Sequence, residues 1–321
     1  MKLYFGNNAI QGSGTASYTW EERTPTGRPA ARDGSFGFSI GGNDFIAFGW
    51  TGSNNSLQDF YKSTDLGLTY TAQATLPFEK RHTAATYILS DSVYVVGGDV
   101  FYPGTDSWTF NGTTWTQKAS NCGIGVRSLM GAVYHNGGFY IVGGQVDRLI
   151  SAGKYDNVLR STDNCVSFQQ IATTPFVCGN MWGAVASYKG RIWKIGGGIY
   201  DDGSLNNRTY PKEIYSSADG ITWVYEGIFP GSGRQYHQTI VWDDKLWVIG
   251  GFYNVGSTLD NLGDTWYSTN GVDWVEKTGT KITDLHAHTT WVAADGNVHT
   301  FGGSTDPGTQ ITQKYHVLKR S

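Results

Sequence analysis

Glycine pairs that end short apolar runs recur along the chain. They occur in Val95-Val96-Gly97-Gly98, Ile141-Val142-Gly143-Gly144, Lys194-Ile195-Gly196-Gly197, Val248-Ile249-Gly250-Gly251 and Thr300-Phe301-Gly302-Gly303. Ala47-Phe48-Gly49-Trp50 reads as a degenerate sixth copy that lacks its second glycine. The first glycines are spaced by 48, 46, 53, 54 and 52 residues, so six copies fill nearly all of the 321 residues. A repeat of this length is one supersecondary unit that buries its apolar face against its neighbours. Composition agrees. The 44 glycines come with only 8 prolines, which excludes collagen, and 14% aromatics with a net charge of -3 excludes a disordered chain.

Each copy reads as four short strands. The first meets the second across a polar turn such as His135-Asn136-Gly137 or Asp243-Asp244-Lys245, and the second ends on the glycines. A long loop follows, then a third strand, a tight turn and a fourth strand that opens on an aromatic. The third-to-fourth turn repeats as Ser63-Thr64-Asp65-Leu66-Gly67, Ser161-Thr162-Asp163-Asn164-Cys165, Ser217-Ala218-Asp219-Gly220 and Ser268-Thr269-Asn270-Gly271. Asp or Asn in such a turn bonds the backbone two residues on, and Gly supplies positive φ. No copy has an apolar 3.6 period long enough for a helix. The sixth copy stops after a third strand at Tyr315–Lys319. Its missing fourth strand matches Tyr18-Thr19-Trp20-Glu21-Glu22 at the other end of the chain. The expectation is an all-β, six-bladed propeller of four-stranded antiparallel blades, a single domain closed by its N-terminal strand. The divisions are an extension at 1–16, a closing strand at 17–24, and blades at about 32–76, 81–120, 127–173, 180–227, 234–279 and 286–320. Closure removes the open edges that invite aggregation.

The glycine pairs, the aromatics Trp108, Trp115, Trp266 and Trp274, and the arginine before strand one make the chain resemble the Kelch-repeat propellers over about residues 17 to 320. The Ser63–Tyr70 turn resembles the Asp box of sialidases, where such turns brace the fold. In Kelch propellers the arginine often crosslinks blades. The resemblance also admits a sialic-acid-processing enzyme, either sialidase-like or a mutarotase, and a protein-interaction scaffold.

Sixteen residues before each first glycine stand Arg81, Arg127, Asn180, Arg234 and His286, with Arg32 one residue out of register. These positions lead into the innermost strand, on the same face as the long loops after strand two. That face also carries Trp50, Tyr102, Trp182, Tyr200, Tyr236 and Tyr253. Arginine grips carboxylates bidentately, and aromatic rings stack on sugars. We therefore expect a glycan or cell-surface receptor as partner, held by Arg32, Arg81, Arg127, Arg234, His286 and the aromatics. A sialidase reading takes Arg81, Arg127 and Arg234 as its triad and Tyr102, Tyr200 or Tyr253 as nucleophile. Its acid would come from Asp33, Asp99, Asp106, Asp147, Asp156, Asp201, Asp202, Glu213, Asp260, Asp264 or Asp284; the family's aromatic-Arg-Ile-Pro signature is absent.

His82, His237, His286 and His288 suggest a cluster at the mouth, read as hydrogen-bonded channel histidines and not as a metal site. Cys122 and Cys178 precede adjacent inner strands and are candidates for a disulfide; Cys165 stands alone. No cofactor motif occurs. No basic stripe points to nucleic acid, and no apolar run is long enough to insert in a membrane. The polar, lysine-poor blades suit an extracellular or virion-surface setting, with no signal peptide visible at Met1–Gly14.

Overall fold

The computed structural model describes residues 16–52, 55–99, 104–146, 153–200, 208–255, 258–305 and 310–321. It is all-β, and no helix occurs among the described residues. Blade 1 contains Phe36–Ile40, Asn43–Trp50, Ser56–Ser63 and Thr71–Ala72, hydrogen-bonded in that order. Blade 2 contains Ala85–Ile88, Val93–Val96, Ser107–Phe110 and Trp115–Ala119, and blade 3 Gly131–His135, Gly138–Val142, Asn157–Ser161 and Gln169–Thr173. Blade 4 contains Val185–Tyr188, Arg191–Lys194, Glu213–Ser217 and Trp223–Ile228. Blade 5 contains Gln238–Trp242, Lys245–Ile249, Thr265–Ser268 and Trp274–Glu276, with an extra hairpin, Phe252–Val255 and Thr258–Asn261, in its long loop.

Blade 6 is built from both ends of the chain. Thr289–Val292, Val298–Phe301 and Tyr315–Arg320 take Tyr18–Arg23 as their outer strand, with Tyr18 opposite Arg320 and Arg23 opposite Tyr315. Trp20 explains the fit: its ring is buried with Trp247, Ile249, Leu285 and Leu318 at the junction with blade 5. Its indole N–H donates to Thr265 Oγ1 at 3.0 Å. Tyr18 and Arg320 both bond Asp243, in the first-to-second turn of blade 5.

Apolar clusters lie between consecutive blades. Phe36, Phe38, Phe45 and Phe60 of blade 1 meet Val93, Val95 and Phe110 of blade 2, and Ile46 of blade 1 meets Trp291, Phe301 and Tyr315 of blade 6. Blade faces approach closely where one of them lacks a side chain. A Cβ on Gly37 would lie 2.2 Å from the Trp291 ring, and one on Gly271 would lie 2.4 Å from Trp193.

The third-to-fourth turns have the hydrogen bonds that their residues dictate. Ser63 Oγ accepts from the Gly67 N–H at 3.0 Å and donates to Asp65, which accepts from the Thr69 N–H at 2.8 Å. Ser161 with Asp163, Ser217 with Asp219 and Ser268 with Asn270 repeat this.

The innermost strands surround a central channel of about 300 Å³, lined by residues that include Thr86, Ala132, Ser187, Ile240 and Thr290. The glycine pairs and the long loops share one mouth of this channel, called the upper mouth below. The first-to-second and third-to-fourth turns share the other.

Candidate functional site

Each arginine before an innermost strand folds back into its own blade. The Nη1 groups of Arg32, Arg81, Arg127 and Arg234 donate to the carbonyls of Phe48, Gly97, Gly143 and Gly250, sixteen residues on in every case. Three of them also form a bidentate pair with a carboxylate on the third strand or at its start. Arg32 meets Asp59 at 2.5 and 2.8 Å, Arg81 meets Asp106 at 2.9 and 2.9 Å, and Arg234 meets Asp264 at 2.7 and 2.8 Å. Their Nε groups donate to the carbonyls of Ala30, Glu79 and Ser232. All three side chains are buried. The expected ligand role for these arginines therefore needs correction: four of the five guanidinium N–H groups of each are engaged inside the protein.

Arg127 is the exception. Asn157 stands where the others have aspartate, and accepts at 2.9 Å. Its guanidinium lies over the Tyr155 ring at 3.6 Å, and its buried Nε has no hydrogen-bond partner among the described residues. Burial lowers its pKa to about 10. The expected triad of Arg81, Arg127 and Arg234 thus consists of three internal struts, each held in a different blade.

The same bonds revise the register of blade 1. Phe48 takes φ +40° and Gly49 φ +123°, matching Gly97 at +57° and Gly98 at +111°. Phe48 thus stands at the first glycine's place, so it is the first glycine that is missing, and Arg32 is in register after all. A backbone left-handed at a bulky residue is uncommon, and this hid the correspondence.

Backbone bridges identify the next station. Asp33 pairs with Trp50, His82 with Asp99, Ser128 with Gln145 and Gln235 with Phe252, each joining the residue after an arginine to the residue after a glycine pair. Asn180 pairs with Gly198 and His286 with Ser304 in the same way. Asn180 and His286 therefore belong to this ring, and the arginine station is held by Gly179 and Leu285. In blade 4 the cation comes instead from Lys194, buried beneath the glycine pair, with Nζ donating to the Glu213 carbonyl at 3.2 Å.

One residue further, the backbone is left-handed in five blades: Gly34 (φ +54°), Thr83 (+47°), Leu129 (+58°), Tyr236 (+52°) and Ala287 (+54°). The conformation is held by bonds between blades. Ala287 N–H donates to Tyr236 O, Gly34 N–H to Ala287 O, Thr83 N–H to Gly34 O, and Met181 N–H to Leu129 O, all at 2.7 to 2.9 Å. Strain at non-glycine residues persists where surroundings over-determine it, and such residues gather at functional sites.

The mouth that this necklace frames has two unlike halves. Over blades 4 to 6, Trp182, Tyr236 and Phe252 pack with Leu129 and Ala287, with Tyr200 and Tyr210 against them. Tyr200 stands edge-on to Tyr236 at 5.3 Å, Arg208 lies over Tyr200 at 4.5 Å, and His286 meets Phe252 at 4.6 Å. Two buried glutamines pin the loops. Gln145 bonds both the N–H and the carbonyl of Tyr200, and Gln235 donates to the carbonyls of Ile199 and Thr209. Over blades 1 and 2 the lining is polar: Asp33, His82 and Asp99, with Trp50 stacked on His82 at 6.2 Å. Burial first, then the charges of Tyr200, Asp33 and Asp99, raise the Tyr236 phenol well above its ordinary range, so it remains a hydrogen-bond donor. Tyr253 is half-buried beside this cluster, and Tyr102 lies outside the described residues. The two glutamines were missed because they sit one station past the arginines or directly after a glycine pair; Asp33 and Asp99 were already among the candidate acids, and the structure places both at this mouth.

The remaining expectations divide. Asp106 and Asp264 are arginine partners, Asp156 pairs with Lys154, and Asp147, Asp201 and Asp202 lie outside the described residues. At the opposite end of the channel Tyr18 donates to the Asp243 carboxylate. His237 and His288 are not hydrogen-bonded channel groups. They are buried wedges between blades, and among the described residues neither ring nitrogen of either has a hydrogen-bond partner of good geometry. Burial, chiefly, lowers both to about 3, and His286 likewise. No cluster suited to a metal occurs among the described residues. The candidate disulfide does not form: Cys122 donates to Thr105 O and Cys178 to Tyr155 O, and all three cysteines are free and buried.

No family model and no curated protein matches this chain. Among solved structures it is similar to YjhT, with a TM-score of 0.68 and 16% sequence identity over 92% of this chain and 99% of that one. At this identity the likeness concerns the fold alone.

Proposed function

We propose that this propeller is a carbohydrate-binding or receptor-recognition module whose ligand sits at the upper mouth. The observation that carries this reading is the aromatic half of that mouth: Tyr200, Tyr236, Phe252 and Trp182, placed beside His286 and faced by Asp33 and Asp99. Rings flanked by hydrogen-bonding side chains suit a sugar, with its apolar face on the rings and its hydroxyls on the polar groups. The contacts proposed are Trp50, Trp182, Tyr200, Tyr236, Tyr253 and His286, with the arginines framing the site from behind. The ligand this favours is neutral or hydroxyl-rich, because the paired arginines have few donors left for a carboxylate.

The sialic-acid-processing alternative loses its arginine triad on the same ground. The protein-interaction scaffold is the outcome left if glycans fail. Kelch ancestry and Asp-box identity for the turns are part of this proposal, as is an extracellular or virion-surface setting. A glycan array with wild type, Tyr200→Ala and Trp50→Ala tests it. The expected result is a defined glycan signal that falls at least tenfold in the variants while their melting temperatures hold. No glycan signal for wild type would overturn the reading and direct attention to a protein partner.

A further inference from the structure

We propose that Ser56, His82 and Asp99 form a nucleophile–base–carboxylate relay able to cleave carboxylic esters at the upper mouth. This goes beyond ligand recognition: it shares Asp99 and Trp50 with the proposed ligand site but turns on Ser56 and His82, which that reading does not use. The Oγ of Ser56 lies 3.2 Å from His82 Nδ1, and His82 Nε2 lies 3.5 Å from Asp99 Oδ2. A hydroxyl, an imidazole and a carboxylate in that order are the parts of covalent acyl transfer, and distances of this length are common before substrate closes the site.

The surroundings fit a working group better than a structural one. His82 lies between two buried residues, Arg81 and Thr83, yet its own side chain is 13% exposed and that of Asp99 25%. Its backbone is clamped on both sides: His82 and Asp99 exchange N–H···O bonds at 3.2 and 2.9 Å, and Thr83 is held left-handed by Gly34. Trp50 stacks on the imidazole, with ring planes 25° and centroids 6.2 Å apart. Ser56 opens the third strand of blade 1, opposite Trp50. Base and nucleophile thus come from neighbouring blades that the ring of bonds keeps in place.

In the step proposed, Ser56 Oγ attacks the ester carbonyl while His82 Nδ1 takes its proton. Asp99 steadies the imidazolium through Nε2. The C–O bond to the alcohol breaks, and the departing oxygen takes the proton from His82, leaving an acyl-serine. Water, deprotonated by the same nitrogen, then releases the acid and restores Ser56. Ester and water become acid and alcohol, with no other reactant.

The test uses a fluorophosphonate probe and p-nitrophenyl acetate on the full chain, with Ser56→Ala and Asp99→Asn. The expected result is one phosphonyl adduct, mapped to Ser56 by peptide mass spectrometry. It is absent in Ser56→Ala and forms at least tenfold more slowly in Asp99→Asn. Ester turnover should follow the adduct, and thermal melts should show both variants folded. No adduct on the folded wild type, an adduct elsewhere, or turnover unchanged in folded Ser56→Ala would overturn the proposal. Glycan binding is read separately, so either idea can fail without the other.

Discussion

Arg81 and His82 are neighbours with opposite fates. Arg81 is 1% exposed, and its guanidinium closes a fork on Asp106, the Gly97 carbonyl and the Glu79 carbonyl. His82 turns to the mouth, partly exposed and stacked on Trp50. In blade 1 the contrast is weaker: Arg32 is fully buried and Asp33 beside it only 9% exposed. Successive residues of an extended chain face opposite ways, so one station can brace the blade while the next faces the ligand. The conspicuous cation is the frame, and the less conspicuous residue beside it lines the site.

The largest effect should come from breaking a strut. Asp264→Ala strands the Arg234 charge in the interior and should cost about 3–5 kcal/mol in denaturant melts. Tyr200→Ala at the mouth should cost far less. Equal losses would erase the distinction between frame and site.

Acid should come next. Burial, above all, holds His237, His286 and His288 down to about 3 and His316 to about 4, below the ordinary value of 6.5. These groups stay neutral when folded and take up protons when unfolded. Their contribution is therefore intact above about pH 6.5 and is lost as pH falls toward 3 to 4, by up to about 1.4 kcal/mol per pH unit for each. Met130 and Met181 show that methionine fits between blades: each lies against glycines of two neighbouring pairs, as His237 and His288 do. His288→Met should therefore flatten the acid limb of the stability curve. An unchanged slope would remove His288 from the account.

A smaller gain should follow from completing the odd strut. Asn157→Asp gives Arg127 the carboxylate that Arg32, Arg81 and Arg234 already have. It should raise the urea midpoint by the equivalent of about 1–2 kcal/mol at constant slope. A fall would mean that blade 3 is built around a neutral partner. Smallest among these, Asp65→Ala should cost about 1 kcal/mol, because it frees the Thr69 N–H in an exposed turn where water can replace the lost bond.

Much of the fold was readable because its signals are local. The glycine pairs are left-handed positions, the Ser-Asp turns bond within a few residues, and the match of Tyr18–Glu22 to the outer strand of another copy foretold the joint. Blade 1 was misregistered because Phe48 adopts a conformation that sequence normally assigns to glycine. Asn180 and His286 were aligned one station early, since their blades carry one more residue before the glycine pair. The arginines were misassigned for a different reason: Asp59, Asp106 and Asp264 lie 25 to 30 residues away, and their pairing exists only once the third strand has docked.

The central claim is that the mouth recognises and the arginines support. The most direct measurement is glycan binding per folded molecule for Tyr200→Ala and Arg81→Met, each held well below its melting temperature. The account predicts that Tyr200→Ala stays stable and loses at least tenfold in affinity, while Arg81→Met loses stability and binds as wild type does. Folded Arg81→Met without binding, beside Tyr200→Ala with full affinity, would contradict it.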